Sequence, residues 1–228
     1  KPSLALPKEQ EQLIRRVARV NPRTIVVVES GAVSRVSTWI RRVPSAIQAW
    51  YPGQEQGNAI ADVVFGRVNP QGHLPATIPM NDRQVPHPSV GTERFEEVVF
   101  VGYRHFLRSG QRPSFAFGHG LSYTRFRYSG LSVRLQQGKR PGAVVRLRVH
   151  NVGNRTGADV PQVYVGRLPG GPPGPARQLA GFDSVEIKAG ASKQVRIVIP
   201  REALSYWNSG RDRWVTPKGS LRVYAGHS

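Results

Sequence analysis

Glu29 closes the β-branched run Thr24-Ile25-Val26-Val27-Val28 and is the best-placed carboxylate in the chain for chemistry. In open α/β sheets, groups at the carboxyl ends of strands contact ligands. Nucleophilic or acid–base work would need a second carboxyl about 5–5.5 Å away, with one of the two raised in pKa. Glu55 is a poor second member, because it falls in the first turn of a helix, where a carboxylate satisfies free amide donors. Glu93, Glu96 and Glu97 form a charge run, which is ordinarily a solvated face. The favoured reading of Glu29 is a cleft wall or a hydrogen bond to a neighbouring loop, and no catalytic pair is assigned. His73, His105 and His119 lack the close spacing of metal ligands, so no metal is assigned either. Gly53 and Gly57 suit a strand-to-helix turn, and no Gly-Lys-Ser/Thr follows that would make a phosphate loop.

Composition narrows the class. The 228 residues suffice for one or two domains, each with its own core. The chain has no Cys, which excludes disulfides, thiolate metal sites and a Cys nucleophile. Its net charge of +19 rests on 33 basic residues, of which only 6 are Lys. They read as scattered along the sequence, and a nucleic-acid binder would gather them in a patch with exposed aromatics. The balance therefore argues against nucleic acid; an acidic partner domain would use the excess equally well. No run of 18 apolar residues offers a membrane span. The opening Lys1-Pro2-Ser3-Leu4-Ala5-Leu6-Pro7 has neither a Met nor a charged-then-apolar leader, so localisation is left unassigned.

These residues need elements to position them. Pro7 to Arg19 reads as an amphipathic helix, with acids at its start, arginines at its end, and Leu13, Ile14 and Val17 at helical spacing. Thr24–Val28 reads as a strand buried on both faces of a parallel sheet. Trp39–Val43 and a strand over Ala46–Trp50 continue the alternation, and Gln54–Phe65 supplies the next helix. The pattern is the tail of an α/β sheet with crossover helices. Residues 81–120 form an ordered connector, rich in Pro and in Phe95, Phe100, Tyr103, Phe106, Phe115 and Phe117, with a strand-like piece over Val98–Val101. From residue 121 the period changes to two. Val145, Leu147 and Val149 alternate with Arg146, Arg148 and His150, and comparable runs recur to Tyr224 between turns. That spacing predicts an antiparallel sandwich of about a hundred residues. The division is thus 1–80, 81–120 and 121–228. Trp207 and Trp214 flank a hairpin-like turn and should pair across it. The sequon Asn154-Arg155-Thr156 is read as chance.

Several stretches resemble one family. Ala49-Trp50-Tyr51-Pro52-Gly53-Gln54-Glu55, the Asn69-Pro70 exit, Phe100-Val101-Gly102-Tyr103-Arg104 and Phe115-Ala116-Phe117-Gly118-His119-Gly120-Leu121-Ser122-Tyr123-Thr124 are similar to signatures of glycoside hydrolase family 3. Leu4-Ala5-Leu6-Pro7 and Asn21-Pro22-Arg23-Thr24 fit the same pattern. Asn151-Val152-Gly153, Gln162-Val163-Tyr164-Val165, Leu179-Ala180-Gly181-Phe182 and Leu204-Ser205-Tyr206-Trp207 resemble its fibronectin type III-like domain. The resemblance implies a partial α/β sandwich domain, mostly parallel with crossover helices, followed by an all-β immunoglobulin/fibronectin type III-like sandwich. It also implies a retaining β-glycosidase, β-glucosidase-like, without metal or organic cofactor. In that family the nucleophilic Asp belongs to an N-terminal barrel. The acid/base Glu lies in a loop immediately before this chain's first residue, with Lys1 at an Arg position of that loop. Both catalytic carboxylates then lie outside these residues, and the chain alone is expected to be inactive.

The expected partners are the barrel, in cis or in trans, and a β-linked glucoside or oligosaccharide. An accessory carbohydrate-binding module acting in trans with a separate barrel is the alternative. Trp39, Trp50 and Tyr51 offer aromatic faces that match the apolar face of a pyranose. For Trp50 and Tyr51, packing against the following helix explains them equally well. The candidate substrate-binding residues are Glu29, Trp50 and Tyr51.

Overall fold

The computed structural model describes residues 3–86, 98–136 and 142–227. Phe95 and the Glu93, Glu96 and Glu97 run lie outside them. The architecture is mostly β-strand with three short helices. Helix α1 (Lys8–Val20) begins after Pro7, carries Glu9 and Glu11 in its first turn and Arg19 in its last, and closes an Arg15–Glu11 ion pair of 2.9 Å. Only Ile14 of its apolar residues joins the N-terminal core of Val28, Val36, Trp39 and Ile78. Leu13 and Val20 remain 62% and 81% exposed, so the apolar stripe has no layer over it here.

Strands β1 (Ile25–Val28) and β2 (Ser45–Gln48) pair in parallel, from Ile25 opposite Ser45 to Val28 opposite Gln48. Of β1 only Val28 is buried, although a strand covered on both faces was expected. The reason is that, among the described residues, the sheet has two strands. The element expected at Trp39–Val43 between the two strands is a single 3-10 turn, Ile40–Arg42. The tight turn buries Trp39, at 1% exposure, and leaves Arg41 and Arg42 in water. Helix α2 (Gln56–Val64) follows, two residues shorter at its start than the pattern suggested.

Val98–Val101 is not a strand. Val98 adopts φ 50° and no ladder forms, because no sheet edge lies alongside to accept it. Instead α3 (Tyr103–Ser109) starts at once, between Gly102 and Gly110.

The second half is all strand: β3 (Phe126–Gln136), β4 (Gly142–Asn151), β5 (Gly157–Asp159), β6 (Gln162–Gly166), β7 (Arg177–Phe182), β8 (Val185–Ile187), β9 (Ser192–Pro200), β10 (Tyr206–Asn208), β11 (Arg213–Val215) and β12 (Val223–Gly226). They form antiparallel sheets ordered β3-β4-β9 and β12-β6-β7, with the pairs β5-β8 and β10-β11. Val145, Leu147 and Val149 of β4 meet Val163, Val165, Val185, Ile187, Val195, Ile197 and Ile199 in one core. The alternation read from sequence holds for all three β4 residues. Trp207 pairs with Trp214 across β10–β11, edge to face at 5.9 Å.

Segment 115–124 joins the two halves. Leu74 N–H donates to the His119 carbonyl at 2.8 Å, Gly118 N–H to Leu74 at 2.8 Å, and Ile78 N–H to Phe115 at 2.9 Å. Asn69 is the hub. Its Oδ1 accepts from the Tyr123 amide (2.7 Å) and the Ser122 hydroxyl (3.0 Å), while its Nδ2 donates to the Thr156 carbonyl (2.9 Å). Tyr123 Oη donates to the Val63 carbonyl at 2.6 Å, and the Arg155 guanidinium to Gly66 at 2.6 Å. On the other flank the Leu179 amide donates to Tyr103 Oη at 2.9 Å.

Asn151, at 1% exposure, uses its whole amide: Oδ1 accepts from Thr124 and Gly153, and Nδ2 donates to the carbonyls of Arg155 and Ile187. Asn151→Asp turns the two donors into an acceptor facing two carbonyls. The expected loss is about 2–4 kcal/mol of folding stability, read as a lowered midpoint in urea. Asn151→Ala should cost about 1–3 kcal/mol. A smaller effect for the Asp variant than for the Ala variant would contradict this account.

Candidate functional site

The carboxyl ends of β1 and β2 lie side by side, and the loops leaving them touch. The Ala49 amide extends the ladder by donating to the Val28 carbonyl at 2.9 Å. Gln48 Nε2 donates to Ser30 Oγ at 3.2 Å, and Ser30 Oγ donates to the Ala32 carbonyl at 2.8 Å. These bonds hold the turn after Val28, where Glu29 stands exposed. The β2 strand ends two residues before the expected Trp50, because Trp50 adopts φ 57° and cannot continue an extended ladder. A left-handed backbone is strained for a bulky aromatic, and such strain persists only where its surroundings impose it.

That turn throws the next residue across the gap. Tyr51 lies against Gly31, so closely that a Cβ on Gly31 would come 2.5 Å from its Cε2. The ring is nevertheless 80% exposed and presents itself to solvent. The fold thus brings together the loops that carry Glu29, Trp50 and Tyr51, with Trp50 half-buried behind them. Trp39 does not join them; it fills the N-terminal core. Glu55 occupies the N-cap of α2 but makes no capping bond, and its carboxylate accepts from Asn58 Nδ2 at 2.7 Å instead. One carboxylate beside an aromatic face can orient a polar ring by a hydrogen bond and stacking. A displacement needing two facing carboxylates is not assembled by these three residues.

Two cavities lie elsewhere, at the junction of the two halves. One, of about 340 Å³, lies between α3 and the β12-β6-β7 sheet, against Tyr103, Phe117, Tyr164 and Arg177, and no acid lines it. Burial and the nearby Tyr103 push the Tyr164 phenol up to about 12. The other, about 650 Å³, has Asp159 as its one carboxylate, with His73, Arg125, Arg127 and His227 around it. Asp159 is 2% exposed and accepts from Tyr128 Oη at 2.7 Å. Burial and that hydrogen bond push the Tyr128 phenol well above its ordinary value, so it stays the donor. Glu29, on the β1–β2 edge, lines neither.

Among the described residues no group of three metal-ligating side chains converges. His73 Nδ1 meets the Gly118 carbonyl at 2.7 Å, while His119 packs on the Phe115 ring at 4.9 Å. Of the two, the backbone bond is made by His73, not by the histidine of the Gly-His-Gly turn. Sequence reasoning did not single out Gly31, Ser30, Gln48 or Asp159. Only the glycine following Glu29-Ser30 carried a signal, since a close approach is a common reason for glycine.

Comparison with known proteins gives this edge its context. Residues 1–123 match the glycosyl hydrolase family 3 C-terminal domain, and residues 159–228 match the fibronectin type III-like domain. The chain belongs to glycoside hydrolase family 3. It is 37% identical to probable β-glucosidase L of Aspergillus terreus over 95% of its own length, covering 32% of that protein. It is 39% identical to probable β-glucosidase J of Neosartorya fischeri, over 99% of this chain and 27% of the relative. The fold superposes on β-glucosidase D2-BGL of Chaetomella raphigera with a TM-score of 0.94 at 34% identity, covering 99% of this chain and 34% of that one. The Streptomyces venezuelae β-glucosidase DesR, solved in complex with D-glucose, gives 0.92 at 34% identity, covering 100% of this chain and 30% of its own. The chain therefore spans about a third of the length of the curated relatives it matches.

Two outcomes follow from this geometry. Gly31→Val should displace the Tyr51 ring, seen as a changed tyrosine fluorescence anisotropy and increased backbone exchange at 49–51, without a large loss of stability. Unchanged signals would mean that the two loops are not in contact. Burial, with repulsion from His73, holds the His119 pKa below its ordinary 6.5. A lowered imidazole means the unfolded chain binds more protons below pH 6.5, so this contribution is complete above that pH and is lost as the pH falls. Urea midpoints of the parent should therefore fall more steeply below pH 6.5 than those of His119→Gln.

Proposed function

We propose that the chain supplies the C-terminal third of a retaining, exo-acting β-glycosidase, β-glucosidase-like in substrate, and that the bond-breaking carboxylates come from an N-terminal barrel. The observation that carries this is the family match over nearly the whole chain, against relatives about three times as long. Retaining hydrolysis uses one carboxylate to attack the anomeric carbon and another to protonate the leaving oxygen, then to activate water. On this reading these residues contribute neither group. They contribute one wall of the cleft, with Glu29 accepting from sugar hydroxyls and Tyr51 stacking on a pyranose face, while Trp50 fixes the turn between them.

The division 1–80, 81–120 and 121–228 belongs to the same reading. Residues 1–80 would end a mostly parallel α/β sandwich whose earlier strands add to β1–β2. The exposed apolar residues Leu13, Val20 and Ile25 support a further layer against that edge. Residues 121–228 would form the fibronectin type III-like sandwich, clasped to the first unit through Asn69 and Tyr123. No metal or organic cofactor enters this mechanism.

The test is an aryl β-glucoside assay of the 228 residues alone and of the same residues joined to the N-terminal part of a relative such as β-glucosidase J. The chain alone should show no turnover, and the joined protein should be active. In the joined protein, Tyr51→Ala and Glu29→Gln should raise KM about three- to tenfold, the size expected for one lost stacking or hydrogen-bonding contact. Turnover by the isolated chain that disappears in Glu29→Gln would overturn the proposal and make Glu29 catalytic.

A further inference from the structure

The outward face of the β3-β4-β9 sheet carries cations that form no ion pair among the described residues. Along β4, Val145, Leu147 and Val149 enter the core, which turns Arg146, Arg148 and His150 outward. The register sets Arg196 of β9 directly opposite Arg146, with Ser132 of β3 on its other side. Arg148 lies between Ser129 and Gln194, His150 between Arg127 and Ser192, and Val144 between Arg134 and Val198. The basic residues that read as scattered in sequence therefore converge, five arginines and a histidine on one face. No position of the three strands is Asp or Glu. The ion pairs among the described residues, Arg15–Glu11, Arg35–Asp82 and Arg67–Asp62, all lie in the first half of the chain. Like charges directly opposite one another weaken a sheet. The Arg146–Arg196 rung is such a pair.

The chemistry of the face selects its partner. Along β4 cations repeat every second residue, roughly 7 Å, and Arg196 faces Arg146 across the strands at about 4.8 Å. Guanidinium groups match carboxylates as planar bidentate forks. The face has no aromatic position. Protein partners are anchored largely by buried aromatic hot spots, single-stranded nucleic acids by stacked bases, and interfacial membrane contacts by an apolar side. A flat polymer with an acid on each ring needs none of these. We propose that this face binds a carboxylate-bearing polysaccharide, a polyuronate, and so holds the protein on an acidic glycan at a distance from the Glu29 edge. The choice of a glycan rests on the hydrolase reading above, but binding is measured on this chain alone, so its failure leaves that reading standing.

The test is titration of the 228-residue chain with polygalacturonate, a neutral glucan and duplex DNA at matched salt. Polygalacturonate should bind, weaken as salt is raised, and outcompete DNA, while the glucan should not bind. Arg146→Gln/Arg148→Gln/Arg196→Gln should weaken polygalacturonate binding about tenfold, whereas the charge-matched Arg211→Gln/Arg213→Gln/Arg222→Gln should change it less than about twofold. Absent binding, equal losses in the two triple variants, or tighter binding to DNA would overturn the proposal. If circular dichroism shows the first triple unfolded, Arg127→Gln/Arg134→Gln on the edge strand takes its place with the same expected loss.

Discussion

Asn69 ties together parts of the chain that its sequence keeps far apart. One side-chain amide accepts from residues 122 and 123 and donates to residue 156, so the exit from α2, the connector and the second half are fixed at one point. An amide can do this because it offers donors and an acceptor from a single rigid group. The bonds around it repeat the theme: Tyr123 caps the Val63 carbonyl, Arg155 the Gly66 carbonyl and Tyr103 the Leu179 amide. The first two bind carbonyls at the exit of α2, and the third an amide within β7, an outer strand of the β12-β6-β7 sheet. The two halves are consequently not beads on a linker.

That rigidity bears on the β1–β2 edge. A wall that orients a ring must hold its groups to within a fraction of an ångström of their working position. Here the holding is done by a two-stranded parallel ladder, the Gln48–Ser30 bond and the seat of Tyr51 on Gly31. Gly31 is required because a side chain would occupy the space of the phenol ring. The strained Trp50 backbone turns the chain sharply enough for Tyr51 to reach that seat. The edge is therefore organised, yet it holds a single carboxylate. A shared cleft, completed by chain beyond these residues, fits that arrangement better than a self-contained active centre.

The second half is organised around a different constraint. Its core is a close-packed set of aliphatic residues from both three-stranded sheets, with Asn151 as a fully bonded polar member. Burying a polar group without partners costs more than the bonds return, so Asn151 specifies where β4 must end relative to Thr124 and Ile187. Outside that core the sheet is free to carry charge. The cationic face persists although its Arg146–Arg196 rung works against the fold, which is why a partner is a better account of it than stability.

Much was legible in sequence, for a physical reason in each case. The period-two pattern around Val145–Val149 is dictated by the pleat, and the β-branched run at 25–28 by its strand preference. Pro7 with its acids fixed the start of α1, and the Trp207–Trp214 pair followed from hairpin geometry. The family signatures identified what the chain belongs to. Val98–Val101 misled, since a short apolar run adopts whichever conformation its neighbours in space allow. The same is true of the contacts made by Tyr51, Asn69 and Asp159 and of the convergence of arginines from three strands. The sequence by itself determined the elements, through local preferences and periodicity. Only the tertiary structure decided which loops meet and which charges share a face, because those depend on register and packing between residues distant along the chain.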